Sequence, residues 1–199
     1  MNILTIITHP IQSSFNHALL ENVVKGLEQS NHTVDISDLY AENFQCAMTD
    51  ADFAQFHNKP MPKDVLAFQK RVEWSDGLVF IFPIWWWSVP AMLKGWIDRV
   101  ISYGWAWSDP LNPDSGFLKE RKILVLATAG ASKAALAKRK YDESLHTQLN
   151  VGTWGYCGFR DITTHFYYEL HSETPLTRRQ SYLDHAQQLG STVFSSPDS

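Results

Sequence analysis

The chain has 199 residues, of which 44% are hydrophobic and 19% charged, a balance typical of compact folded proteins rather than disordered ones. Its net charge of −4 offers no basic field to nucleic acid. Cys46 and Cys157 fit no metal or redox spacing, and the histidines form no zinc motif, so no catalytic metal is expected. No apolar run approaches the ~20 residues that cross a bilayer. A cytoplasmic protein with free thiols is the expectation.

Strand and helix patterns alternate along the chain. Asn2–Thr8 reads as a buried strand and Asn16–Gln29 as a helix with Leu19, Leu20, Val23, Val24 and Leu27 on one stripe. Thr33–Ser37 is a second strand, Lys63–Trp74 a second helix and Leu78–Phe82 a third strand. Pro90–Ile101 is a helix whose proline suits the first turn. Ile123–Thr128 is a fourth strand, Ala134–Leu149 a weakly amphipathic helix, Asp161–Tyr167 a fifth strand and Pro175–Gly190 a closing helix. The stretches Tyr40–Pro62 and Tyr103–Arg121 read as long loops, of the kind that carry function. The alternation predicts one α/β domain over residues 1–199. Its parallel five-stranded sheet is doubly wound in the order 2-1-3-4-5, with helices on both faces.

Ligands of such sheets bind beyond the carboxyl ends of the strands, at the point where the strand order reverses. Three loops meet there: THPIQSSFN, FPIWWWSVP and ATAGAS. In the first, Ser13, Ser14 and Asn16 sit at a helix start, where free N–H groups and the helix dipole favour a phosphate. Ser13 or Ser14 equally suits a simple N-cap. In the second, Trp85, Trp86 and Trp87 would waste core volume but would wall a pocket for a flat conjugated ligand. Trp105 and Trp107 are candidates for the opposite wall. In the third, the small residues Ala127–Ser132 let a ligand approach the backbone. No dinucleotide-type glycine fingerprint, phosphate-binding P-loop or nucleophile elbow is present.

The set HPxxSSFN, FPxxWWxxPAxLKGWIDRV, YGWAW and ATAG resembles the flavodoxin-like NAD(P)H:quinone oxidoreductases. That group includes the mammalian quinone reductases, bacterial modulator-of-drug-activity reductases and ancillary flavoproteins of potassium efflux systems. The resemblance runs from about Asn2 to Leu189, and SDLY (Ser37–Tyr40) and Gly158–Phe159 add to it. It implies ping-pong, two-electron hydride transfer from NAD(P)H, through a bound flavin, to a quinone or similar flat acceptor. It further implies FAD, with FMN as the alternative, in a homodimer whose site lies at the subunit interface.

By motif position, His9, Ser14, Phe15 and Asn16 would hold the phosphates and ribityl chain. Pro83, Ile84, Trp85, Trp86 and Trp87 would line the ring system, with Ala127, Thr128, Ala129 and Gly130 along its pyrimidine side. Gln69 matches a glutamine reaching in from the partner subunit, and Arg179 an arginine near the adenine end. Trp105 and Trp107 would cap the substrate. Many members carry Thr-Thr-Gly-Gly where this chain has Ala127-Thr128-Ala129-Gly130. A tyrosine and a histidine of the mammalian enzymes fall at Ala135 and Tyr141. Trp86, Trp87, Gly130 and Tyr141 are thus the catalytic candidates. The basic run Lys133, Lys138, Arg139 and Lys140 would either be solvated or attract the 2′-phosphate of NADPH.

Two rivals stay open at this point. One is a flavin-bearing regulatory subunit in peripheral contact with a membrane transporter, which exposed apolar surface on Tyr103–Phe117 would favour. The other is a one-electron shuttle, which fits less well because the chain is only mildly acidic.

Overall fold

The computed structural model describes residues 1–57, 59–108, 118 and 121–195. Five parallel strands form one sheet in the order β2-β1-β3-β4-β5. They are β1 (Asn2–Ile7), β2 (Thr33–Asp38), β3 (Gly77–Pro83), β4 (Lys122–Thr128) and β5 (Ile162–Tyr167). The central β3 is buried along its whole length, which is why it reads as one unbroken apolar run.

The helices divide between the two faces. On one, α1 (Phe15–Gln29) and α6 (Leu176–Thr192) pack over Ile3, Ile7, Val79, Ile81, Leu124 and Leu126. On the other, α2 (Lys63–Trp74), α3 (Ala91–Val100) and the chain between β4 and β5 cover Leu4, Ile6, Leu78, Phe80, Phe82, Ile123 and Val125. Alternate residues of each strand supply the two cores, as the strand period requires. The doubly wound order and the two helical layers agree with the sequence. Lys63–Trp74 is placed as expected, and the other regular elements end within one or two residues of expectation, save one.

That one is Ala134–Leu149. It breaks into α4 (Lys133–Lys138), α5 (Tyr141–His146) and a π-helical stretch, Thr147–Gly155. Lys140 is left-handed, at φ 57°, which ends one helix and starts the next at a new angle. Further on, the Tyr156 N–H donates to Val151 O at 3.2 Å, a wider turn than an α-helix makes. The weak amphipathy was the trace of this break, because no single stripe of a straight helix could stay buried. The Tyr40–Pro62 stretch is also not wholly irregular, since Asp50–Phe56 forms a 3₁₀ helix.

α1 and α6 cross at two glycines. A Cβ on Gly26 would lie 2.0 Å from Gln187 O, and one on Gly190 would lie 2.3 Å from Val23 O. The helix backbones meet there without side chains between them. Gly26→Ala is therefore expected to force the helices apart and lower stability by about 1–3 kcal/mol. Urea unfolding checks this, and a variant as stable as the parent would contradict so close a crossing.

Candidate active site

The three loops at the carboxyl ends of β1, β3 and β4 converge and are tied together. Ile84 N–H donates to Thr128 O at 2.7 Å, joining the tryptophan loop to the end of β4. The buried Asn16 amide donates to Thr128 Oγ1 at 3.1 Å, joining the start of α1 to the same residue. Ala129 N–H donates to Tyr167 O at 2.8 Å, and Leu170 N–H donates back to Ala129 O at 3.0 Å. Thr128, central in every one of these ties or next to them, is only 6% exposed.

The tryptophans do not fill the core. Trp85, Trp86 and Trp87 are 41%, 93% and 38% exposed. Trp85 and Ser88 exchange both backbone hydrogen bonds, at 3.1 and 3.0 Å, so Trp86 and Trp87 are the two central residues of a tight turn. Both are left-handed, with φ of 49° and 61°. Such a turn prefers Asn-Gly, and a bulky residue in that region costs roughly 1–2 kcal/mol. Two indoles held there against that preference point to a ligand-facing role. Trp87 stacks on Tyr141, with ring centroids 4.0 Å apart and planes 12° from parallel. That places Tyr141, from beyond the α4–α5 break, beside the tryptophan turn.

Ile84, Trp86, Trp87, Ala129, Gly130 and Ala131 line a hollow of about 180 Å³. That is below the roughly 300–1,000 Å³ of a complete small-molecule pocket. One chain thus supplies a shelf rather than an enclosed site. A groove of about 650 Å³, lined by His146, Val151, Tyr156, Phe159 and Ile162, lies where β5 begins, at the opposite end of the strands.

Beside the shelf is the start of α1. Ser14 is its N-cap, as one of the two sequence readings had it, and its side chain accepts from His17 N–H. The other first-turn N–H groups have no partner within the helix. His9 stands over this mouth, its ring centroid 6.0 Å from that of Trp85, and its Nδ1 accepts from Ile11 N–H at 3.1 Å. Burial holds the His9 imidazole below its ordinary range, against the Ile11 backbone contact that raises it, and His17 also lowers it. Indoles, small-residue backbone and a helix mouth with a histidine form a donor set suited to a planar ring carrying a phosphate.

The structure does not bring every expected residue to this place. Gln69 is 4% exposed, and its amide donates to Val100 O at 3.0 Å and Ser102 Oγ at 2.8 Å in its own chain. It locks α2 to the end of α3 within its own chain. Trp105 donates through Nε1 to Glu73 at 2.7 Å, and Trp107 packs on Tyr103 and Tyr156. Both follow α3, whose ten residues carry the chain about 15 Å from the tryptophan turn. No ring contact joins either of them to Trp85, Trp86 or Trp87 among the described residues. Arg179 bonds to His171 O at 2.8 Å and Thr174 O at 3.3 Å, so it braces the loop after β5 that supports Ala129. The Tyr103–Phe117 surface lies largely outside the described residues.

Sequence reasoning missed His17 and Asp38. His17 Nδ1 is 2.9 Å from Ser14 Oγ, and its Nε2 is 3.1 Å from Asp38 Oδ2. Gln12 also donates to Asp38 Oδ2, at 2.7 Å. The SDLY step contained the aspartate, but nothing in the spacing linked it to a histidine 21 residues earlier.

Residues 1–190 match the family described as having a flavodoxin-like fold. Ribosyldihydronicotinamide dehydrogenase (quinone) of Homo sapiens is 32% identical over 178 residues, covering 79% of this chain and 77% of that relative. NAD(P)H dehydrogenase (quinone) 1 of Cavia porcellus is 28% identical over 201 residues, covering 89% and 72%. The solved structure of an NAD(P)H:quinone oxidoreductase from Methanothermobacter marburgensis superposes with a TM-score of 0.87. It is 27% identical and covers 98% of this chain and 97% of that one.

Proposed function

Since the chain belongs to the flavodoxin-like fold family, we infer that it is a flavin-dependent NAD(P)H:quinone oxidoreductase. The observation that carries this reading is the strained Trp86–Trp87 turn beside the Ala129–Ala131 backbone. When bound, the flavin supplies the two-electron relay between a dihydronicotinamide and a quinone.

The chain's own residues bind, orient and exclude water. Trp85–Trp87 and Ile84 offer an apolar wall to the ring system, while Pro83 fixes the direction in which β3 delivers them. The backbone of Ala127, Thr128, Ala129 and Gly130 would pass along the ring's polar edge, where N–H groups favour negative charge. The first-turn N–H groups of α1, with Ser14, Phe15, Asn16 and His9, would hold the phosphates. The stack of Tyr141 on Trp87 supports Tyr141 standing in for the family's polar-edge tyrosine and histidine. Arg179 acts through the loop it braces.

FAD would be the cofactor, and the exposed face of the shelf would receive NAD(P)H and a flat quinone. The chain functions as one flavin-binding domain in the cytoplasm. No helix among the described residues is long and apolar enough to cross a membrane.

The incomplete shelf supports a homodimer. Phe56 and Tyr103 stack at 5.8 Å, Tyr103 meets Trp107 at 5.2 Å, and Phe53, Phe56 and Tyr103 are all exposed. An exposed aromatic patch of this kind suits a second copy, which would close Trp105 and Trp107 over the shelf. Steady-state oxidation of NAD(P)H with a simple quinone tests the activity. Parallel double-reciprocal lines are expected. Absence of any flavin-dependent oxidation would contradict the assignment.

A further inference from the structure

The start of α1 carries a hydrogen-bonded chain that a simple anion site does not need. Asp38, at the end of β2, faces His17 Nε2 at 3.1 Å, and His17 Nδ1 faces Ser14 Oγ at 2.9 Å. The His17 side chain is 9% exposed and that of Asp38 14%. Burial pushes the Asp38 carboxyl up, yet hydrogen bonds from Gln12, His17 and the Ala41 N–H outweigh it and hold it below its usual range. Asp38 is therefore an acceptor throughout the neutral range, and it keeps a proton on His17 Nε2.

This fixes the direction of the chain. In neutral His17, Nδ1 is an acceptor, so the Ser14 hydroxyl donates its one hydrogen inward. In protonated His17, Nδ1 is a donor, Ser14 Oγ accepts from it, and the hydroxyl hydrogen is released to point outward. We propose that His17 and Asp38 form a proton-linked switch at the flavin phosphate site. Protonation of His17 reverses the Ser14 hydroxyl into a donor to the anion, so FAD is held more tightly as the pH falls. The switch rests on the flavin reading above, and it makes His17 and Asp38 positioning residues that act through Ser14.

The ionisable groups facing His17 are Asp38 from β2 and His9 from the β1–α1 loop, whose ring centroid lies 6.4 Å away. On α1 itself, Glu21 lies one turn further along. His9 is the second imidazole at this helix mouth, so the test separates the two histidines.

FAD and riboflavin are the probes, titrated against flavin-free protein by fluorescence quenching between pH 8 and 5.5, where histidines change charge. The FAD pyrophosphate keeps its charge over this range, unlike the phosphate monoester of FMN, which titrates near pH 6. Riboflavin has no phosphate and reports the ring site alone. FAD affinity is expected to rise about tenfold or more on acidification, the worth of one charge-assisted hydrogen bond, while riboflavin affinity stays flat. His17→Gln and Ser14→Gly should each remove the FAD slope, the latter with the helix cap nearly preserved. His9→Gln should keep the slope, even where it weakens FAD at every pH, because the slope is assigned to His17 and Ser14.

FAD binding that is flat with pH in the parent protein overturns the switch and leaves the flavin reading standing. So does a slope that survives in both His17→Gln and Ser14→Gly. Failure of both flavins to bind at every pH overturns the flavin reading and the switch together.

Discussion

Arg99→Met is expected to lower stability by about 3–5 kcal/mol, a fall in Tm of roughly 6–20 °C for a chain of this size. The Arg99 side chain is 3% exposed and that of Asp52 is fully buried, with Nε and Oδ1 2.8 Å apart. Nη1 donates to Gln45 O and to Asp64 Oδ2, each at 2.6 Å. The guanidinium also lies 5.5 Å from the centre of the Phe44 ring. One arginine on α3 thus gathers the Tyr40–Pro62 segment, the Asp50–Phe56 turn and the start of α2.

Removing it leaves the Asp52 carboxylate buried with, among the described residues, Thr49 N and Oγ1 as donors, at 2.7 and 2.9 Å. The cost is that uncompensated charge rather than the worth of the pair. Arg99→Met/Asp52→Leu, which removes both charges, should therefore recover most of the loss. Denaturant unfolding of the parent, single and double variants measures this. A single-variant loss below about 1 kcal/mol, or a double variant worse than the single, would contradict the account.

Trp86→Asn/Trp87→Gly is expected to move stability and function in opposite directions. Asn-Gly is the preferred pair for a two-residue turn with both central residues left-handed. The swap relieves about 1–2 kcal/mol per tryptophan. It loses the Trp87–Tyr141 stack, worth about 0.5–1.5 kcal/mol. Flavin-free protein should then gain roughly 0.5–3.5 kcal/mol. Flavin affinity should fall about thirtyfold or more, because buried indole anchors typically carry 2 kcal/mol or more of a binding energy. Thermal unfolding and a flavin titration of the same variant give both numbers. A variant that binds flavin as well as the parent would show that the turn is not the ring's wall.

The topology was legible because β3 and β4 are buried apolar runs and α1 and α2 show clear stripes, signals that depend on local periodicity alone. The convergence of the three loops after β1, β3 and β4 followed from the strand order. What the sequence hid was contact at long range. Nothing in the chain announces that Asp52 meets Arg99, 47 residues away, or that His17 meets Asp38. Gln69 reads as an ordinary polar helix residue and is in fact a buried tie between α2 and α3. Trp105 and Trp107 share a composition with Trp85–Trp87 but lie at the far end of α3, and helix length rather than residue type separates them. The left-handed conformation of Trp86 and Trp87 was also invisible, since it runs against the preference of tryptophan.

Mass analysis of the small molecule released when the purified protein is denatured tests the central claim most directly. FAD, at about one per chain, is the result expected from a shelf walled by Trp85–Trp87 with a phosphate site at Ser14–His17. Release of no flavin, from protein that also fails to take up FAD or FMN when supplied, would contradict it.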